Sequence, residues 1–365
     1  MTHEDWMREA LHLAVLGRGR VNPNPLVGAV IVKDGRKIAQ GYHAVYGGPH
    51  AERCALDNCS EDPRGATMYV TLEPCCHHGK TPPCTEAILA SGIARVVIGS
   101  TDPNPKVAGG GVAALEDAGI TVIRDVLREN CDGLNAVFFH YILGKTPHVT
   151  MKYAMTADGK IATHTGASRW ITGIAAREAV HRTRGTLSAI LVGLGTVLLD
   201  DPLLTCRLSE GGRNPLRIVA DSRLAIPLGS QIVTTAREVP TVIACHTAET
   251  SQARRLEALG CRILPCPGSD GRVDLRMLLE KLHAEGIDSV LAEGGAALHY
   301  SLLEAGLVQR LQVYVAPKIF GGATAKGPVG GEGVSLPEQA FRLSLPRITP
   351  LEEDLLLEYD VLGGG

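Results

Sequence analysis

Aromatic residues are scarce in this chain: four Phe, two Trp and eight Tyr among 365 residues. A surface that stacks the bases of single-stranded nucleic acid needs such rings, so that role is weakened. A basic excess is missing too. Thirty-six Lys and Arg face 39 Asp and Glu, a formal net charge of −3, where a nucleic-acid coat protein carries a clear positive balance. No run of eighteen apolar residues occurs, so no membrane-spanning helix is expected. The opening residues, Met1-Thr2-His3-Glu4-Asp5, carry acids where a signal peptide wants Lys or Arg. These absences set the expectation of a cytoplasmic protein with neither membrane nor nucleic acid as partner.

What is present describes a folded enzyme-sized chain. The length exceeds one ordinary domain, and 45% apolar residues suffice for a sizeable core. Ten Cys are present. In a large chain without a secretion signal they read as reduced thiols or metal ligands rather than disulfides.

Strand-like and helix-like segments alternate. Helical spacing marks 4–17, 50–58, 84–91 and 111–119, and strands are expected at 27–32, 66–72, 93–99 and 120–124, with a hairpin turn at Asp34-Gly35. Gly144-Lys145-Thr146-Pro147 punctuates the chain. Beyond it, strands are expected at 148–154, 189–194, 216–220, 241–245, 288–292 and 311–316, and helices at 174–187, 251–259, 274–285 and 296–305. This alternation predicts two α/β domains, 1–145 and 146–365, with parallel sheets covered by helices.

The chemistry is most legible in the first half. His50-Ala51-Glu52 is followed by Glu73-Pro74-Cys75-Cys76-His77-His78-Gly79-Lys80-Thr81-Pro82-Pro83-Cys84. One imidazole and two thiolates make a three-ligand set that leaves the fourth zinc position open. Water at that position becomes acidic, with a pKa near about 7. Glu52, two residues from His50, is close enough to reach that water, take the water's proton and hand it to a leaving amine. Alone, a His-x-Glu pair is usually a surface turn and a Cys pair two small buried hydrophobes. In this order, with Pro before the first Cys, they form the zinc-deaminase signature. One departure stands out: eight residues separate Cys75 from Cys84, where the generic pattern has two. A closed structural zinc, with Cys76, His77 or His78 as fourth ligand, is the competing reading, and Glu52 argues against it.

The stretch HAE…EPCCHHGKTPPC, preceded by Asn22-Pro23-Asn24-Pro25-Leu26-Val27-Gly28 and Gly41-Tyr42-His43, resembles the bacterial bifunctional riboflavin-biosynthesis deaminase/reductases. The resemblance assigns His50, Cys75 and Cys84 to zinc and Glu52 to proton transfer. It implies that Asn24, His43, His77 and Lys80 contact substrate. By itself Asp102-Pro103-Asn104-Pro105 needs only turn formation to explain it.

In the second half, spacing says less. Gly193-Leu194-Gly195-Thr196-Val197 follows an apolar strand, but Val197-Leu198-Leu199-Asp200-Asp201-Pro202 reads as a break, so no glycine-rich dinucleotide fingerprint opening a helix is expected. Glu293-Gly294-Gly295-Ala296 ends a strand and opens a helix, a place where backbone N–H groups can meet phosphate. The segments MTADGKIAT, Ser168–Thr172, GTVLLDDPLLTCR and AEGGAAL…VAPKIFGG are similar to the reductase half of the same family.

That half is expected to be dihydrofolate-reductase-like, beside a cytidine-deaminase-like three-layer first domain. The resemblance implies that Ala154, Trp170, Thr196, Asp200, Ser222 and the turn Gly295, Ala296, Ala297, Leu298, His299, Tyr300, Ser301 hold NADPH. It implies that Lys152, Ser168, Arg184, Leu204, Arg207 and Glu293 hold substrate. Either Lys152 or Asp158 is a candidate proton donor.

The overall expectation is a zinc-dependent deaminase of a phosphorylated pyrimidine, fused to an NADPH-dependent reductase, in a homo-oligomer. One rival is a nucleoside or RNA deaminase with a non-catalytic second half. Another is a zinc-stabilised interaction protein.

Overall fold

The computed structural model describes residues 1–78, 82–105, 107–209 and 211–362. The chain divides into two compact units, Met1–Gly144 and Lys145–Gly365.

The first unit opens with α1 (His3–Val15), started by a reciprocal cap. The Thr2 hydroxyl accepts from the Asp5 N–H at 3.2 Å and the Asp5 carboxylate accepts from the Thr2 N–H at 2.8 Å. There follow β1 (Gly28–Lys33), β2 (Arg36–Tyr42), α2 (Ala51–Asp57), β3 (Thr67–Leu72), α3 (Cys84–Ser91), β4 (Arg95–Ser100), α4 (Gly110–Asp117), β5 (Thr121–Ile123), α5 (Arg128–Leu134) and α6 (Ala136–Leu143).

The sheet order is β2-β1-β3-β4-β5. Pairing is parallel from β3 to β5, but β1 runs antiparallel to both β2 and β3. The all-parallel expectation is therefore corrected here, and the hairpin turn is the cause. Asp34 and Gly35 both take positive φ, 50° and 75°, the conformation that joins antiparallel strands through two residues.

Alternation along β1 sends Ala29 and Ile31 to one core and Val30 and Val32 to the other. The first core is closed by Ala51, Ala55, Ile88 and Leu115, the second by Trp6, Met7, Ala10 and Leu13. Helices thus cover both faces, in three layers. α2 lies so close to β2 that a Cβ at Gly41 would sit 2.4 Å from the Ala55 nitrogen.

The second unit contains β6 (His148–Thr156), α7 (Ile174–Thr186), β7 (Ala189–Gly193), α8 (Leu194–Asp200), β8 (Leu216–Ala220), α9 (Gln231–Thr234), β9 (Thr241–Cys245), α10 (Ser251–Ala258), β10 (Arg262–Pro265), α11 (Leu275–Ala284), β11 (Ser289–Glu293), α12 (Ala296–Glu304), β12 (Arg310–Ala316), β13 (Arg347–Leu351) and β14 (Asp354–Asp360). Nine strands form one sheet, ordered β10-β9-β8-β7-β11-β6-β12-β14-β13. It is parallel from β10 to β12 and ends in an antiparallel hairpin, β14 and β13.

Both faces of the parallel part are buried, so β7 reads as a continuous apolar run. Ala189 and Leu191 join one core, Ile190 and Val192 the other. Arg217 on β8 is wholly buried. Its guanidinium is satisfied by the carbonyls of Leu203, Ile232, Thr235 and Val239 and the hydroxyls of Thr235 and Thr241.

One helix contradicts the sequence reading. α8 opens directly after β7, where residues 197–202 were expected to prevent it. Asp201, at φ 39°, and Pro202 end that helix after seven residues rather than forbidding it. α5, α6, α9, β10, β13 and β14 were also not expected.

Candidate active sites

The first site is assembled where α2 and α3 begin. His50 is the N-cap of α2, in an extended conformation after Pro49, and Glu52 lies in the first turn. Cys84 is the first residue of α3, and Cys75 sits in the loop after β3. His50 Nδ1 lies 3.6 Å from Cys75 Sγ and 3.4 Å from Cys84 Sγ, and all three donor atoms fall within 4.8 Å of one another. The Cys84 backbone N–H also points at Cys75 Sγ, 3.3 Å away. Hydrogen bonding from Cys84 and His50 lowers the Cys75 thiol, against the opposing effect of burial. A nitrogen and two sulfurs at this spacing fit a tetrahedral zinc with one position left over.

Two of the three alternative ligands are engaged elsewhere, and the third, His77, lines the same cavity. Cys76 Sγ lies against Gly110, 3.0 Å from where a Cβ there would stand, and His78 pairs with Glu86 at 3.2 Å.

Glu52 is 3% exposed, and burial, reinforced by the charge of Cys75, pushes its carboxyl up to about 7. It faces a cavity of about 540 Å³, together with Asn24, His43, His50, Cys75 and His77. His43 Nδ1–H donates to the Pro49 carbonyl at 2.9 Å, and the Asn24 amide donates to His43 Nε2 at 3.2 Å. Burial lowers the pKa of His43. His77 Nδ1 is buried with no partner among the described residues. Lys80 lies outside the described residues.

The cavity wall holds residues that the sequence reading passed over. Asp102 and Asn104, expected only to turn the chain, line it with Glu73, Tyr46 and Phe138. The Glu73 carboxylate fixes this wall by accepting from the N–H groups of Asp102, Gly109 and Val112, at 3.1–3.2 Å. Burial pushes Asp102 up to about 6. A turn motif tells where the backbone bends but not what it faces, so no local signal marked these positions.

The second site lies at the carboxyl end of β11, beside the middle of β6. Arg184 on α7 grips Glu293 with Nε and Nη2, both at 2.7 Å, and its Nη1 donates to the Thr205 carbonyl at 3.2 Å. Lys152 Nζ stands 4.0 Å from the same carboxylate. Burial opposes ionisation of Glu293, but the charge and hydrogen bonds of Arg184 hold it at about 2. Burial lowers Lys152. Arg207 Nη1 donates to the Thr205 hydroxyl at 3.0 Å.

Ser168 donates to Asp200 at 3.4 Å, and Trp170 is exposed with the Arg177 guanidinium 4.6 Å over its ring. Thr196 meets the Gly294-Gly295 turn: a Cβ on Gly294 would stand 3.1 Å from Thr196 Oγ1. Both glycines have φ near +90°, which side-chain-bearing residues rarely adopt.

Several implied contact residues turn inward. Leu204 and Leu298 pack in the core, and Ala154 packs with Tyr314. His299 is 1% exposed. Its Nδ1–H donates to the Pro328 carbonyl at 2.9 Å and its Nε2 accepts from the Gly294 N–H at 3.1 Å, so the ring braces the turn. Tyr300 donates to the Gly333 carbonyl at 3.1 Å. On α12, Gly295, Ala296, Ala297 and Ser301 remain at the start and along the first turns of the helix, and Ser222 Oγ accepts from the Val273 N–H at 3.1 Å.

Asp158 is withdrawn from the proton-donor role. Its carboxylate accepts from the Thr156 hydroxyl at 2.5 Å and from the N–H groups of Phe320 and Gly321 at 3.2 and 2.8 Å, and these bonds hold it at about 2.

Residues 1–100 match the cytidine and deoxycytidylate deaminase zinc-binding region, and residues 147–357 match the RibD C-terminal domain. The riboflavin biosynthesis protein RibD of Actinobacillus pleuropneumoniae is 52% identical, over 99% of this chain and 96% of that protein. RibD of Aquifex aeolicus is 41% identical, over 98% of both. Among solved structures, a diaminohydroxyphosphoribosylaminopyrimidine deaminase/5-amino-6-(5-phosphoribosylamino)uracil reductase from Thermotoga maritima superposes with a TM-score of 0.86 at 41% identity, covering 98% of each chain. RibD of Acinetobacter baumannii gives 0.87 at 35% identity, also covering 98% of each.

A zinc-binding deaminase fold followed by a reductase fold defines a bifunctional hydrolase and oxidoreductase, with zinc and a nicotinamide cofactor. The chain belongs to the RibD family, the deaminase/reductases of riboflavin biosynthesis. The reductase match across 147–357 removes the rival with a non-catalytic second half. No helix among the described residues is long and apolar enough to cross a membrane.

Proposed function

We propose that the deaminase domain, 1–145, converts 2,5-diamino-6-(5-phosphoribosylamino)pyrimidin-4-one to the corresponding uracil. The reductase domain, 146–365, then uses NADPH to reduce the ribosyl group, giving 5-amino-6-(5-phosphoribitylamino)uracil. The observation that carries this reading is the convergence of the His50, Cys75 and Cys84 donor atoms at a cavity that buried Glu52 also lines. The Thermotoga relative, named for both steps, supports the substrate class.

His50, Cys75 and Cys84 would hold the zinc, which when bound would supply the Lewis acidity that ionises water near neutral pH. Glu52 takes the water's proton on its carboxylate and delivers it to the amine, which leaves as ammonia as the ring C–N bond breaks and C=O forms. Asn24 and His43, already bonded to each other, present one fixed polar edge to the pyrimidine. His77 offers its unpartnered nitrogen to the substrate, and Lys80 supplies a charge for the phosphate.

In the reductase domain, NADPH supplies the hydride. The Arg184–Glu293 pair orients the pyrimidine, with Ser168 and the backbone at Leu204 beside it. Arg207 takes the phosphate. Lys152 is the remaining proton donor. Thr196, Asp200, Ser222, Trp170 and the backbone at 154 and 295–297 face the cofactor. The protein works in the cytoplasm as a homo-oligomer.

The test separates the two steps: ammonia release from the diaminopyrimidine phosphate, and loss of NADPH absorbance on adding the deaminated intermediate. Activity in both assays supports the reading. Ammonia release from cytidine or RNA instead would replace the substrate assignment.

A further inference from the structure

Lys152, the proton donor of the second site, is largely buried on β6, with 15% of its side chain exposed. Its ammonium makes no hydrogen bond to any described residue. Its ion pair is loose. Nζ stands 4.0 Å from Glu293 Oε2, beyond hydrogen-bond reach, and Arg184 already grips that carboxylate with two bonds of 2.7 Å.

The neighbouring strand supplies a second contact. β6 and β12 pair in parallel, with Lys152 opposite Gln312 and Ala154 opposite Tyr314. Successive side chains alternate between faces, so Lys152, Gln312 and Tyr314 share one face of the sheet. Tyr314 is 1% exposed. It packs with Ala154, Ala176, Val180 and Leu356, and its hydroxyl lies near Thr183 of α7. Packing on all sides fixes the ring, and its centroid lies 5.5 Å from Lys152 Nζ. At that distance the negative face of an aromatic ring attracts an ammonium.

The charges around Lys152 oppose one another. Burial, the largest effect, disfavours the ammonium; Glu293 of β11 favours it and Arg184 of α7 disfavours it. His181 of α7 and His299 of α12 lie in the same field. Glu358 of β14 is engaged by the Gln312 amide at 3.0 Å. A carboxylate in full contact would hold the lysine's proton tightly. A ring face attracts the cation more weakly, and it leaves N–H groups free for the substrate. That combination suits a group that must stay charged and still give up its proton.

We propose that Tyr314 is a positioning residue for the reduction, and that its ring face holds the protonated Lys152 in place beside the substrate. Removing the ring frees the ammonium and makes its proton easier to lose. The inference rests on the reading of Lys152 as proton donor and goes beyond it to what keeps that donor placed and charged.

The test is the pH profile of kcat and KM for NADPH oxidation by the full chain on the deaminated intermediate. In the wild-type protein the basic limb of kcat reports loss of the Lys152 proton. Tyr314→Leu is expected to move that limb toward lower pH by about one unit and to lower kcat about tenfold on the limb, with KM within about twofold of wild type. Tyr314→Phe keeps the ring and is expected to recover most of the wild-type profile. Leucine also leaves a cavity, so pentafluorophenylalanine introduced at position 314 supplies nearly the same shape with a ring face that is no longer negative. It is expected to move the limb as leucine does. A fluorinated ring that behaves like Tyr314→Phe, or a rise in KM with the limb unmoved, overturns the proposal and leaves Lys152 as the donor. Full turnover in Lys152→Met overturns the donor reading and the proposal with it.

Discussion

The two sites draw on the chain in opposite ways. The deaminase centre takes its donors from two short segments, 50–52 at the start of α2 and 75–84 running from the loop after β3 to the start of α3. The reductase centre joins Lys152, Arg184 and Glu293, and its closest pair is 109 positions apart in sequence. The first site is a coordination pattern, in which residue type and spacing carry the meaning. The second is a buried charge cluster made by sheet order, with β6 and β11 adjacent in space and far apart in sequence. Their failure modes should differ accordingly: loss of a ligand or a proton carrier in one, loss of charge balance in the other.

The largest expected effect is on chemistry at the first site alone. Glu52→Gln should keep zinc at one per chain while ammonia release falls by about 10²–10⁴, with NADPH oxidation on the deaminated intermediate retained. Coupled loss of both activities would break the comparison between independent sites. Cys84→Ala should weaken zinc retention by more than about 100-fold, the scale set by far milder changes around metal ligands, as measured by metal analysis after dialysis.

At the second site, Glu293→Gln leaves two buried cations without their counter-ion. We expect about 3–5 kcal/mol of destabilisation, read through Trp170, which lies in the second unit, while Trp6 in the first does not respond. The pH dependence sharpens this. The Glu293 carboxyl sits at about 2, below its ordinary 4.5. Its contribution is therefore complete above pH 4.5 and is lost as pH falls toward 2, a change of about 3 kcal/mol. Urea unfolding across that window should show the loss in the wild-type chain and a flat difference in the variant.

A smaller effect is expected from Gly41→Ala. The new Cβ would stand 2.4 Å from the Ala55 nitrogen, and pushing α2 from β2 should cost about 1–3 kcal/mol in the first unit. The smallest effect is expected for Asp158→Asn. Its carboxylate holds backbone N–H groups of 320 and 321, so turnover in the NADPH assay should stay near wild type. A fall of about 100-fold or more in that assay would return Asp158 to the chemistry.

The same contrast explains what the sequence made legible. Long periodic segments such as α1, α7 and α11 and the apolar strands β7 to β9 carry their own signal. α5 and α6 were missed because Asn135, the cap shared by both, divides residues 128–143 into two helices too short to show a period. β13 carries Pro350, tolerated because this strand lies at the sheet edge. The zinc donors were readable because metal ligation fixes residue type and spacing together. Asp102, Asn104 and the Arg184–Glu293 pair were not readable from spacing, because tertiary packing alone decides what they face.

Zinc K-edge X-ray absorption on the purified full-length chain tests the central claim most directly. The account predicts one zinc per chain, with two sulfurs at about 2.3 Å and two lighter donors, one an imidazole nitrogen and the other exchangeable. A third sulfur, a second imidazole, or no zinc in a protein that still releases ammonia would contradict it.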